Sequence, residues 1–196
     1  VILIGNSIGG VVALNSSKKL KNGCLGVVLI DCAQRTMDDK RLAEQPLLMR
    51  FFRPVIKTLV RQRLLSESLF KNAANPSFIK KILKVAYPSG NNIDQNLIEI
   101  LFLPTQRKGA PEAFRGFINL FNDHLAPNLM KNSDIPVYLI WGEEDPWEPV
   151  GEAKSWLEKF ECIKSLEIIP GAGHCPHDEM PEKVNTILQK IIQEAM

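Results

Sequence analysis

Val1-Ile2-Leu3-Ile4-Gly5-Asn6-Ser7-Ile8-Gly9-Gly10-Val11-Val12-Ala13-Leu14 decides the fold. Four apolar residues read as a buried strand, and the Gly5-to-Gly10 stretch reads as a tight turn with Ser7 at its apex. Apolar residues then resume at helical spacing. Gly5-Asn6-Ser7-Ile8-Gly9 fits G-x-S-x-G in the setting that motif needs, with a strand before it and a helix after it. Such a turn holds its central residue in a strained backbone conformation, and the small residues two before and two after let it close. The Ser7 hydroxyl then projects above the sheet. The Ile8 amide lies at a helix N-terminus, where a developing oxyanion is stabilised.

Working outward, the first helix runs from Ser7 to about Leu20 and stops near Asn22-Gly23. Leu25 to Ile30 is a second buried-type strand closed by Asp31, so the two strands form a right-handed parallel crossover unit. From Met37 to His124 no strong strand appears. This stretch of roughly 85–90 residues is helical and punctuated by Pro46, Pro54, Pro76, Pro88, Pro104 and Pro111, too long for a simple loop. Strand–helix alternation then returns: a strand at Ile135–Trp141, a helix at Glu152–Phe160, a strand at Ser165–Ile169 and a terminal helix at Pro181–Ala195. Val184, Ile187, Leu188, Ile191 and Ile192 form one apolar stripe on that helix. The expected fold class is α/β, a parallel sheet flanked by helices with a helical cap insertion. The expected division is core at 1–36, cap at 37–125 and core again at 126–196.

A serine nucleophile needs a base, and the base needs an orienting acid. Of three histidines, His174 follows the last strand in a glycine-bearing loop and is the candidate base. His124 lies inside the insert and suits a surface role. For the acid, the candidates are Asp31, Glu143, Glu144, Asp145 and Asp178, of which Asp145 and Asp31 each stand at the carboxyl end of a strand. Asp145 is preferred because its loop after Gly142 can reach toward His174. Ser7, Asp145 and His174 then stand at the carboxyl ends of three strands, the edge where open parallel sheets bind ligands. Ile8 is the candidate oxyanion donor, and Asn6, Trp147 and His177 are candidate substrate contacts. His174, Cys175, His177 and Asp178 invite a metal, but no further ligand cluster completes a site, so neither a metal nor a cofactor is expected.

The 196 residues are 45% hydrophobic and 23% charged, enough for one substantial core with a cap. Twenty-four basic and 22 acidic side chains leave a formal charge of +2, which supplies no large field for nucleic acid. Arg50, Arg53, Lys57, Arg61 and Arg63 interleave with Phe51, Phe52, Val55, Ile56 and Leu59 as an amphipathic helix with a solvated outer face. Cys24, Cys32, Cys162 and Cys175 lack CxxC spacing, which suits reduced thiols in a cytoplasmic compartment. No apolar run reaches the roughly 18 residues of a membrane span, so no stable membrane insertion is expected.

The order Ser, Asp, His in these contexts resembles the α/β-hydrolase superfamily over the whole chain. In that family several strands precede the serine turn, so the resemblance implies that this chain corresponds to a carboxyl-terminal part. An early loop giving a second oxyanion amide would lie upstream. Three stretches, Gly5 to Gly10, Gly142 to Trp147 and Gly173 to Glu179, are similar to the pheophytinase-like hydrolases of plants and cyanobacteria. Ile82 to Tyr87 with Asn92-Ile93-Asp94 is similar to the cap of that group. The resemblance implies a serine hydrolase acting on a lipophilic carboxylic ester, the phytyl ester of pheophytin-like pigments, in cytoplasm or plastid stroma. The apolar cap residues Leu47, Leu48, Phe51, Phe52, Leu97, Ile98, Ile100, Leu101, Phe102, Leu103, Phe114, Phe117 and Phe121 suit such a substrate, though most serve equally as cap core. Two alternatives stand beside this reading. One is carbon–carbon bond hydrolysis of small diketones on the same fold, and the other is a non-enzymatic ligand-binding homologue.

Overall fold

The computed structural model describes residues 1–20, 23–33, 63–120, 125–131 and 133–195. The expected arginine-bearing helix up to Arg61, Leu47, Leu48, Phe121 and His124 lie outside them, as does the side chain of Phe117.

The elements in chain order are β1 (Ile2–Asn6), α1 (Ile8–Leu20), β2 (Gly26–Ile30), α2 (Arg63–Ala73), α3 (Pro76–Ala86) and α4 (Gln95–Phe102). A 3-10 turn (Leu103–Gln106) follows, then α5 (Ala110–Leu120), α6 (Ala126–Met130), β3 (Val137–Gly142), α7 (Val150–Lys159), β4 (Ile163–Ile169), α8 (Pro176–Glu179) and α9 (Pro181–Ala195). The chain divides into two compact units. One comprises residues 1–34, 84–92 and 124–196, the other residues 35–83 and 93–123.

In the first unit the four strands lie in the order β1-β2-β3-β4, every pair parallel. The sequence runs of β2 and β3, Gly-Val-Val-Leu-Ile and Val-Tyr-Leu-Ile-Trp-Gly, are buried at every position. That is how central strands covered on both faces read. Alternate side chains go to opposite faces. Val28, Ile30, Tyr138 and Ile140 join Ile169, Val184 and Ile191 in one core beneath α9. On the other face, α1 approaches closely enough that a Cβ on Gly10 would sit 2.7 Å from Cys32 Sγ. Trp141 meets Trp156 of α7 edge-on, with ring centroids 6.1 Å apart. Each fully buried aliphatic side chain contributes about 1.5–3 kcal/mol.

The described elements of the second unit are all helices, and its described prolines start helices rather than end them. Pro76 opens α3, Pro104 lies in the first turn of the 3-10 segment and Pro111 is the second residue of α5, positions where a missing N–H has no intrahelical partner to lose. Asp94 caps α4 by accepting from the Leu97 amide at 2.7 Å. Ile98 is buried, whereas Ile100, Leu101, Leu103 and Phe114 are exposed. The Phe70 and Phe114 rings pack at 5.4 Å.

Three sequence expectations change. The opening strand, expected to be buried, is the end strand β1 of the described sheet, with Val1 and Ile4 exposed because no described strand pairs with its outer side. Ile192 is exposed, because the packed stripe of α9 follows Val184, Ile187, Leu188 and Ile191 and leaves Ile192 at its margin. Of the glycines around the serine turn, Gly9 is not sterically demanded, since a Cβ there would meet nothing, while Gly10 is pressed against Cys32 and Leu29. Gly10→Ala should therefore destabilise the protein by about 1–3 kcal/mol. Gly9→Ala should be within about 1 kcal/mol of the parent, on the stabilising side, because alanine favours helix. Urea unfolding of both variants checks the contrast.

Candidate active site

The site is built at the carboxyl ends of β1, β2 and β3 and in the loop after β4. Ser7 joins β1 to α1 with φ of 53°, in the left-handed region that a non-glycine residue occupies only when its surroundings hold it there. Its amide donates to the Ile30 carbonyl at 2.9 Å. Its carbonyl accepts from the Gly10 and Ala33 amides, each at 3.1 Å. Gly5 closes the turn, for a Cβ there would come 2.2 Å from the Gly9 carbonyl oxygen. Helix α1 begins at Ile8 with no acidic side chain in its first turn. Its leading N–H groups, Ile8's among them, are those a helix leaves without intrahelical partners.

The acid and histidine loops meet backbone to backbone. A Cβ on Gly142 would lie 1.9 Å from the Gly173 carbonyl oxygen, and one on Gly173 would lie 2.3 Å from both the Ala86 carbonyl oxygen and Pro88. Only glycine permits three chain segments to approach so closely. The Glu144 amide donates to the Ala172 carbonyl at 2.9 Å and the His174 amide to the Ala86 carbonyl at 2.8 Å. Trp141 steadies the acid loop by donating its indole N–H to the Glu148 carbonyl at 2.7 Å.

This framework brings Asp145 and His174 together. His174 Nδ1 lies 2.8 Å from Asp145 Oδ2, with the Asp145 side chain wholly buried. The other oxygen, Oδ1, accepts from the Trp147 and Glu148 amides at 2.8 and 3.1 Å. Burial alone would raise the Asp145 pKa. The His174 hydrogen bond and charge, with the two backbone N–H groups, outweigh it and hold the carboxyl below its ordinary value. Asp31, the competing acid, makes no bond to His174. Its Oδ1 accepts from the Gly142 amide at 2.9 Å.

The substrate-contact candidates occupy different settings. Asn6 donates its side-chain amide to the Ile30 carbonyl at 3.2 Å and to the His174 carbonyl at 2.9 Å, which ties the serine turn to the histidine loop. Trp147 stands edge-on to the His174 ring at 4.8 Å. His177 is exposed on α8, a helical turn the sequence reading had not foreseen, with Pro176 accommodated in its first turn. Burial pushes the neighbouring Cys175 thiol up to about 11, so at neutral pH it is a thiol and not a nucleophilic thiolate.

One group escaped the sequence reading. Glu179 is buried, with Oε1 accepting from the Gly173 amide at 2.7 Å and Oε2 from the Ser89 hydroxyl at 2.5 Å. Asp178 accepts from the Tyr87 hydroxyl at 2.9 Å, and its carbonyl accepts from the Asn92 side chain. The acids of Cys175-Pro-His-Asp-Glu thus fasten residues 87–92 to the histidine loop. The available signal was a pair of acids directly after a glycine-rich histidine loop.

An all-parallel sheet with a strained serine turn and a histidine–aspartate pair at its carboxyl edge defines an α/β protein of hydrolase type. The chain belongs to the alpha/beta hydrolase family, whose model matches residues 1–187. It is 30% identical over 130 residues to the chloroplastic pheophytinase of Arabidopsis thaliana, covering 64% of this chain and 26% of that protein. It is 24% identical over 192 residues to the uncharacterised hydrolase YugF of Bacillus subtilis, covering 98% and 65%. Among solved structures, an esterase from Thermogutta terrifontis matches with a TM-score of 0.67 at 19% identity, covering 100% of this chain and 65% of that one. A meta-cleavage product hydrolase from Pseudomonas fluorescens matches at 0.70 and 16%, covering 98% and 64%. The chain thus spans about a quarter of the first relative and two thirds or less of the others. No described helix is long and apolar enough to cross a membrane.

The electrostatics give a pH test. A carboxyl whose folded pKa is depressed contributes stability that is present above its unfolded pKa and lost as pH falls through the folded value. The stability difference between parent and Asp145→Asn, measured by urea unfolding, should therefore shrink as pH falls below about 4.

Proposed function

We propose that the protein is a serine hydrolase that cleaves a carboxylic ester of a lipophilic substrate through an acyl-enzyme, with Ser7, His174 and Asp145 as nucleophile, base and acid. The observation that carries this reading is the His174–Asp145 hydrogen bond of 2.8 Å beside a serine held at φ of 53°. With Nδ1–H engaged by Asp145, the lone pair of His174 is on Nε2, which takes the Ser7 proton as Oγ attacks the ester carbon. Asp145 stabilises the imidazolium so formed. The Ile8 amide donates to the oxyanion of the tetrahedral intermediate. Collapse expels the alcohol, which receives the proton from His174, and water repeats the sequence to free the acid.

For the substrate we favour the phytyl ester of pheophytin-like pigments, supported by the 30% identity to a pheophytinase and by the Gly173-to-Glu179 stretch. We take the helical unit as a cap and Trp147, beside His174, as a substrate contact. His177 and Asn6 are proposed to border the same site. A reducing compartment, cytoplasm or plastid stroma, suits the four unpaired cysteines.

The test incubates the intact protein and its Ser7→Ala variant with pheophytin, with chlorophyll and with a short-chain aryl ester, following phytol and aryl alcohol by chromatography. The expected result is phytol release by the parent alone, with the variant slower by at least about 10³-fold. Aryl-ester turnover without phytol would retain the serine esterase and discard the pigment. In a separate incubation with a small diketone, cleavage of it but of no ester would favour the carbon–carbon reading. A folded parent inert on all three would overturn the proposal.

A further inference from the structure

Asp31 is fully buried at the end of β2, with φ of 40°. One carboxyl oxygen takes the Gly142 amide. The other, Oδ2, has no hydrogen-bond partner, and among the described residues it is the one buried side-chain N or O atom in that state. An ionised carboxylate oxygen buried without a protein donor is strongly disfavoured. The charged groups acting on Asp31 make this worse, because Asp145 from the acid loop and Glu179 from α8 are both acids. Cys32 and Cys175, the thiols beside it, supply no positive charge.

Asp145 presents the complementary vacancy. A carboxylate offers about four lone-pair positions, and Asp145 has three filled: His174 Nδ1 on Oδ2, and the Trp147 and Glu148 amides on Oδ1. Asp145 is held beside Asp31 by Gly142, whose amide donates to Asp31 Oδ1 at 2.9 Å and whose carbonyl accepts from the Asp145 amide at 3.3 Å. Two ionised carboxylates cannot bond one another, but a single proton turns the orphan oxygen of Asp31 into a donor.

We infer that Asp31 carries its proton in the resting protein and donates it in a hydrogen bond to the Asp145 carboxylate, making Asp31 a positioning residue for the acid that orients His174. Burial, with Asp145 and Glu179 nearby, pushes the Asp31 pKa well above the ordinary carboxyl range, against the opposing Gly142 amide. The hydrogen bond fixes the Asp145 carboxyl plane for His174. It also limits the buried pair of acids to one negative charge, the amount one imidazolium balances.

The inference deepens the proposed serine-hydrolase reading and its kinetic arm rests on that reading, whereas its infrared arm does not. Infrared spectra of the intact protein at neutral pH, in light and heavy water, should contain the C=O stretch of a buried protonated carboxyl that Asp31→Asn removes. Absence of the band, or its survival in Asp31→Asn, would overturn the inference. In the kinetic arm, Asp31→Ala takes a donor from Asp145 and leaves it the stronger base. The acid limb of the kcat/KM profile should move to higher pH, and kcat should fall roughly tenfold with KM little changed. Asp31→Asn replaces the O–H donor by an N–H donor and should return the limb to its parental position. If Asp31 were ionised, both substitutions would remove a negative charge and move the limb to lower pH, which contradicts the inference. A purely structural role would leave the limb where it is in every variant, and this too overturns it. An inactive parent would sink the esterase reading alone, with the infrared band still deciding where the proton resides.

Discussion

The site depends on a backbone contact, the approach of Gly142 to the Gly173 carbonyl, where a Cβ would stand 1.9 Å from the oxygen. Because neither residue carries a side chain, the loop after β3 and the loop after β4 lie against each other. Asp145 and His174 hang from those loops, three residues and one residue beyond the contact. Their 2.8 Å hydrogen bond inherits its geometry from the main chain rather than from flexible side chains. The same contact extends to Ala86, whose carbonyl receives the His174 amide. Residues 87–92, held by Asp178 and Glu179, complete the collar.

Electrostatics then work inside a fixed frame. Three carboxyl groups, Asp31, Asp145 and Glu179, are buried in and beside these loops, an arrangement that would be untenable if each were an unpaired charge. Asp145 is satisfied by His174 and two amides, and Glu179 by Gly173 and Ser89. Asp31 has only Gly142. The unequal supply of donors separates the roles of three chemically similar side chains, and the group with fewest donors is the one on which a proton is best placed.

Much of this was legible in the sequence where the signal is local. The apolar runs of β1, β2 and β3, the glycine-framed Ser7 and the terminal helix each declare themselves within about fifteen residues. Asp145 was separable from Asp31 only by loop length after a strand, and it is Asp145 that lies 2.8 Å from His174 Nδ1. What remained hidden is non-local. Ser89 and Glu179 are 90 positions apart, so the function of Asp178 and Glu179 could not be read from their motif. The need for Gly10 rather than Gly9 reflects Cys32 and Leu29 on the next strand, which no pattern around Ser7 reveals. Asn6, read as a substrate contact, makes its two described bonds to backbone carbonyls.

The central claim is that this framework activates one serine. The most direct measurement is reaction of the intact protein with a fluorophosphonate, followed by peptide mapping of the adduct. One equivalent of phosphonate should form on Ser7, far more slowly in Asp145→Asn and His174→Ala than in the parent. Labelling at another residue, or a Ser7 adduct formed at the same rate without His174, would contradict it.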